Sequence, residues 1–141
     1  MNKIQSFSAS PRLHLGVVVG RALLGALFVV SGLLKIGHFA SVSAMLTTLG
    51  LPFVQCVTVL VIIVEVGVGL ALALGWKTRF AAAVLALFVV PATFIFHSFW
   101  FADSANYSNQ LNHFLKNCAL FGALLMLACT NAIPRLGRAA D

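Results

Sequence analysis

The chain has 141 residues, of which 61% are apolar and 9% charged, and a formal charge of +6. Soluble domains hold about 45 to 50% apolar and about 25% charged residues, so so apolar a surface needs lipid. At about 20 residues per spanning helix, four spans consume most of the chain, which excludes a separate soluble catalytic domain and leaves a single membrane domain over residues 1–141.

The charge arises from nine Lys and Arg against three acids. No basic run forms the clustered face that phosphate binding needs, so a nucleic-acid partner is excluded. Cations at the ends of apolar segments instead carry topology. Cys56, Cys118 and Cys129 make neither a CxxC nor a metal-ligand spacing, and no metal site is expected. The first apolar run carries Arg21 and lacks a small-x-small cleavage site, so it reads as a permanent span and not a signal peptide.

In chain order, a polar start leads into span one, about residues 14–36, which holds Arg21, Ser31 and Lys35. Residues 37–52 are predicted to be a loop. Span two, about residues 53–75, is rich in Val and Ile with Glu65 near its middle, and its length marks a helix and not a strand. Trp76 to Arg79 form a tight turn. Span three, about residues 80–101, passes Pro91 and ends in an aromatic segment, and residues 102–107 are a loop. Span four covers about residues 108–132, ahead of Pro134, Arg135 and Arg138. The fold class is therefore all-α, a four-helix transmembrane bundle. Lys3 and Arg12, then Lys77 and Arg79, then Arg135 and Arg138 alternate with loops that hold no basic residue. The positive-inside rule accordingly puts both termini and the second loop in the cytoplasm.

Ionisable side chains at bilayer depth cost several kcal/mol unless paired or facing a cavity. At about 1.5 Å per residue, Arg21 lies about 10 Å and Glu65 about 15 Å from the cytoplasmic boundary, on neighbouring antiparallel spans. They are expected to form a buried ion pair, whose simplest role is to fix helix order. The same arithmetic puts His97, Lys116 and Asn117 about 25 Å in, and Lys35 and His113 about 30 Å in, making the outer half of the bundle its polar half. Asn109, Asn112, His113, Lys116 and Asn117 follow i, i+3, i+4, i+7, i+8, one helical stripe. Arg21, Gly25, Phe28, Gly32 and Lys35 share a face of span one, whose glycines let a neighbour approach and which is expected to meet the Glu65 face. Pro91 removes a helical hydrogen bond and is expected to kink span three, widening the outer half.

Lys35, His97, His113, Asn109, Lys116 and Asn117 are thus the expected ligand-binding set, lining an outward-opening polar pocket for an anionic or carbonyl-bearing small molecule. Lysines near the interface also have snorkelling open to them. A histidine near neutral pH suits a proton, a polar head group or a quinone carbonyl, with Phe94 or Trp100 as the expected stacking ring. Phe94, Phe96, Phe99, Trp100, Phe101 and Tyr107 read most simply as an interfacial aromatic belt. Gly16 and Gly20, like Gly67, Ala71 and Gly75, form small-xxx-small faces suited to helix packing. No residue is assigned a catalytic role.

The segments GRALLGALFVVSGLLKIGHF, VEVGVGLALALGWKTRFAAAVLAL, FHSFW and NQLNHFLKNCALFGALLMLA resemble the DoxX family of small four-helix membrane proteins, in particular its YphA-like branch. The resemblance covers most of the chain and rests on SGLLK, a mid-span Glu, FH and FLKN in that order; the tail PRLGRAAD departs from the family's usual Gly-rich ending. It implies a multi-pass bacterial inner-membrane protein whose polar positions are Arg21, Lys35, Glu65, His97, Lys116 and Asn117. It also implies a link to quinone-coupled thiosulfate oxidation or to thiol and oxidative-stress systems. The function expected is a binding or accessory subunit in quinone-linked redox or thiol/sulfur oxidation, in a redox complex or a homo-oligomer. The alternatives are a non-enzymatic adaptor or small-molecule carrier, and a stand-alone quinone oxidoreductase. No intrinsic cofactor is expected; the small-molecule ligand would be a quinone.

The topology is directly testable: reporter fusions at residue 141 and in the Lys77 turn should both report the cytoplasmic side. Activity of either fusion only on the outer side would refute the charge argument.

Overall fold

A computed structural model describes residues 11–130, with side chains from Leu15 onward. Lys3, Arg135, Arg138, the side chain of Arg12, the PRLGRAAD tail and the expected end of span four lie outside the described residues. Among the described residues every regular element is helical: α1 (Pro11–Gly37), α2 (Phe39–Thr48), α3 (Val54–Leu74), α4 (Thr78–Phe96) with a short 3₁₀ turn at Phe99–Phe101, and α5 (Tyr107–Cys129). Four stretches, Leu15–Gly37, Val54–Leu74, Thr78–Phe101 and Tyr107–Cys129, are long and apolar enough to cross a bilayer. The four starts and the first three ends agree with the predicted spans to within one helical turn.

The segment read as the first loop is mostly helix. Val42, Met45, Leu46 and Leu49 recur at i, i+3, i+4 and i+7, giving α2 an apolar face, on which Leu46 is buried. Ser41, Ser43, Thr47 and Thr48 interrupt this run in sequence and conceal the period. A hydrogen bond of 3.1 Å between the hydroxyls of Ser43 and Thr58 ties α2 to α3, and Thr58 is fully buried.

Glycine ends both α2 and α3 by the same device. At the end of α2, Gly50 takes a positive φ of 72°, with Gly50 N donating to Thr47 O and Leu51 N donating to Leu46 O. At the end of α3, Gly75 has φ 81°, with Gly75 N donating to Leu72 O and Trp76 N donating to Ala71 O. These paired bonds are Schellman closures, which satisfy carbonyls that a helix end leaves bare.

The spans pack in sequential pairs, α1 along α3 and α4 along α5. On α4, Thr78, Ala81, Ala82, Leu85, Ala86, Val89 and Thr93 form one buried stripe, which meets Phe28, Leu72 and Leu124 in the core. Its alanines keep the neighbours close. Pro91 stands inside α4, and the helix runs on through it to Phe96. The carbonyl it frees belongs to Leu87, whose side chain is exposed.

The α1–α3 crossing is closer still. A Cβ built on Gly25 would lie 2.6 Å from both Ala73 N and Gly69 O, and one on Gly32 would lie 2.6 Å from Val66 Cγ2. Hydrogen at these positions is what lets two backbones meet. Of the expected small-residue faces, Gly16, Gly20 and Gly67 have nothing within 4 Å of a built Cβ, whereas Gly75 lies against Arg21 and Ala71 packs beside the core.

Gly25→Ala should therefore destabilise the bundle by about 1 to 3 kcal/mol, the usual range for overpacking. Gly20→Ala should be neutral. Thermal unfolding of both variants in mild detergent separates them, and equal behaviour would contradict the close crossing.

Candidate functional site

Glu65 is buried, and its carboxylate is held by α1. Lys35 Nζ donates to Glu65 Oε2 at 2.8 Å, to Glu65 Oε1 at 3.0 Å and to Ser31 Oγ at 2.7 Å. Ser31 Oγ in turn donates to Glu65 Oε1 at 3.2 Å. The side chains of Lys35 and Glu65 are 26% and 6% exposed, so the lysine end is the one nearer the surroundings. An ammonium has three donors, and these contacts occupy all of them.

The expected Arg21–Glu65 pair is corrected by this geometry. Gly25 faces Gly69 and Ala73, and Gly32 faces Glu65 and Val66. The guanidinium of Arg21 lies against Gly75, where an added methyl would collide with it. From Glu65 to Gly75 is about 15 Å of helix, too far for Arg21 to reach the carboxylate. The depth estimate assumed that residues 14 and 75 share a level, whereas Arg21 itself is level with Gly75. Lys35 sits about one turn beyond Gly32, and helical side chains lean toward the N-terminus. That lean brings Nζ back to Ser31 and Glu65. Arg21 is fully buried at the opposite end of the α1–α3 seam.

Glu65 also sits in a local irregularity. Val64–Val68 form a π-helical turn within α3, an insertion that widens the backbone by one residue and is frequent at functional sites. The motif VEVGV contains β-branched residues and a glycine, but nothing in its spacing announced the π turn.

Beside the pair lies a cavity of about 340 Å³. Its polar side chains are Ser31 and Lys35 from α1, Glu65 from α3, His97 just after α4 and Asn117 from α5. Phe28, Phe88 and Phe96 supply rings to its wall, and Val42, Met45 and Leu46 of α2 supply another side. The cavity occupies the half of the bundle remote from the Gly75 turn, where the sequence placed its polar level.

Of the expected binding set, Lys35, His97 and Asn117 share this cavity, while His113, Lys116 and Asn109 are not part of its lining. His113 stacks on His97 with ring centroids 4.9 Å apart and planes 12° from parallel. Lys116 and Asn109 are exposed. The polar stripe of α5 is wider than the face that turns inward. Gln110, His113, Asn117, Leu120 and Leu124 follow steps of three and four, and Leu124 is fully buried; Asn109, Asn112 and Lys116 fall outside this line.

Gln110 is the residue the sequence reading missed. His97 Nδ1 lies 3.1 Å from Gln110 Oε1. An amide oxygen only accepts, so Nδ1 carries the proton and Nε2 keeps its lone pair when the ring is neutral. The step from Gln110 to His113 to Asn117 was a legible signal.

Of the aromatic residues expected as a belt, Phe94, Phe99, Trp100, Phe101 and Tyr107 make ring contacts, and Phe96 lines the cavity instead. Phe99 meets Trp100, Tyr107 and Phe114 edge-on at 5.0, 5.8 and 5.2 Å, and Phe94 meets Phe114 at 5.7 Å. This cluster joins the end of α4 to the start of α5. Neither Phe94 nor Trp100 lines the cavity, so Phe28, Phe88 and Phe96 replace them as the rings available for stacking. Pro91 is absent from the lining too, although Ala92 beside it contributes.

Glu65→Gln should destabilise the bundle by about 3 kcal/mol, because it leaves the Lys35 ammonium without its counter-charge. Lys35→Met combined with Glu65→Gln should recover much of that loss, whereas Arg21→Met combined with Glu65→Gln should be additive. Unfolding in detergent supplies both double-mutant cycles. Coupling of Glu65 to Arg21 in place of Lys35 would overturn the assignment.

Residues 16–98 match the DoxX family model. The inner membrane protein YqjF of Escherichia coli K12 is 35% identical over 117 residues, covering 82% of this chain and 83% of that protein. The inner membrane protein YphA of the same organism is 23% identical over 130 residues, covering 92% of this chain and 93% of its own length. No solved structure matches the chain significantly. With four apolar spans, a family model over most of those spans and an inner-membrane relative similar along most of its length, the chain belongs to the DoxX family and is a multi-pass inner-membrane protein.

Proposed function

We propose that the cavity binds the ring of a small uncharged molecule bearing oxygen substituents, a quinone in its oxidised or reduced form being the class that suits it best. The protein would then act as a binding or accessory subunit in quinone-linked redox or thiol/sulfur oxidation. The observation that carries this reading is the cavity itself, an apolar, partly aromatic chamber with polar groups from three helices and from His97 at the end of α4 converging on it. Ligand sites are commonly of this size and make-up.

Charge accounting favours a neutral ligand over an anionic one. Lys35 is already compensated by Glu65, and Lys116, the second lysine of the expected set, does not line the cavity. The Asn117 amide is the natural donor to a carbonyl. Cys56, Cys118 and Cys129 are free and exposed, and among the described residues no three His, Cys, Asp or Glu gather as a cluster. These side chains support binding and orientation more than electron transfer by the protein's own groups.

Protein purified in mild detergent from quinone-replete membranes should carry extractable quinone, measured by mass spectrometry against protein amount. Ala92→Trp, which fills the cavity, should abolish retention, and Asn117→Ala should lower it about three- to tenfold, the worth of one hydrogen bond. Retention unchanged in both folded variants would place any bound quinone elsewhere.

A further inference from the structure

The hydrogen-bonding capacity left over in the cavity is unbalanced. Lys35 spends its three donors on Ser31 and Glu65. Ser31 donates its hydroxyl proton to Glu65 Oε1. Glu65 Oε1 thus accepts two hydrogen bonds, whereas Oε2 accepts one, from Lys35. A carboxylate oxygen has two acceptor sites, so Oε2 retains one. His97, with Nδ1 committed to Gln110, presents Nε2 as a further acceptor. Asn117 offers its amide group, which both donates and accepts. Acceptors in the lining therefore outnumber donors, and one of them is charged.

We infer that the cavity selects a ring carrying a hydroxyl group, whose proton is donated to Glu65 Oε2, with His97 Nε2 and the Asn117 amide serving polar groups elsewhere on the ring. This rests on the reading of the cavity as a ring-binding site and narrows its ligand class. A carbonyl ring brings only acceptors, and opposite Oε2 an acceptor would meet a like partial charge. A phenolic O–H fills that position with a charge-assisted hydrogen bond, the stronger kind. For a quinone-type ligand the reduced, dihydroxy form is accordingly the one the site holds more tightly. The Lys35–Ser31–Glu65 hydrogen bonds hold the carboxylate in place and leave one acceptor site of Oε2 open. Losing such a bond to a charged group is worth more than tenfold in affinity.

The test uses two redox-inert probes of matched shape, 4-propylphenol and 4-propylanisole, titrated calorimetrically into the protein in nanodiscs, with empty nanodiscs subtracted. The phenol should bind at least tenfold more tightly than its methyl ether. Glu65→Gln should reduce that preference to under about threefold. Because that variant strands Lys35, the balanced Lys35→Met/Glu65→Leu double variant is measured beside it and should also lose the preference. Equal binding of the two probes to the unmodified protein would overturn hydroxyl selection while leaving ring binding in place. A preference that persists in the double variant would remove Glu65 as the acceptor and overturn the inference. Binding of neither probe would overturn the inference and the ring-binding reading together.

Discussion

Two opposite charges held at bilayer depth govern how the first and third helices meet. A lone carboxylate or ammonium there costs several kcal/mol, and the Lys35–Glu65 contact offsets this cost only if the two backbones come close enough for a bidentate arrangement. The glycines of α1 supply that closeness. Gly32 lies directly against Glu65 and Val66, and Gly25 against Gly69 and Ala73. The π turn at Val64–Val68 accompanies the same contact, since Glu65 belongs to it. The pair, the glycine seam and the helix irregularity form one mechanical unit.

The cavity follows from where that unit sits. The charges lie in the half of the bundle where α2 folds back over the spans, and its apolar face closes one side of the chamber. The aromatic cluster of Phe94, Phe99, Trp100 and Phe114 clamps the end of α4 to α5. His97, which follows α4 directly, is held by its stacking on His113 and its contact with Gln110. Under the proposed function, side chains fixed by packing in this way would need little ordering on binding, which preserves affinity.

At the far end of the α1–α3 seam, Gly75 serves two demands with one missing side chain. It permits the left-handed φ that closes α3, and it leaves room for the Arg21 guanidinium. The closure and the buried arginine thus depend on the same residue, and no other amino acid meets both requirements.

Much of the architecture was legible in the sequence because lipid imposes a simple rule. Backbone groups in a bilayer must be satisfied within the segment, so runs such as Val54–Leu74 declare themselves as helices by length and composition alone. The glycine face of α1, its meeting with the Glu65 face, and the polar level shared by Lys35, His97 and Asn117 were readable from helical spacing. Pairing was not. Whether Glu65 meets Arg21 or Lys35 depends on the axial offset between two helices, which one-dimensional depth counting from the ends of apolar runs misjudged. Helical periodicity likewise gives the stripe on α5 but not which part of it turns inward, so Gln110 was passed over and Lys116 and Asn109 included. The sequence by itself determined the class, the spans and the residues that must avoid lipid, because these follow from hydropathy and spacing along one chain. Only the tertiary structure decided which of those residues touch, because register, the π turn and the fold-back of α2 arise from contacts between segments far apart in the chain.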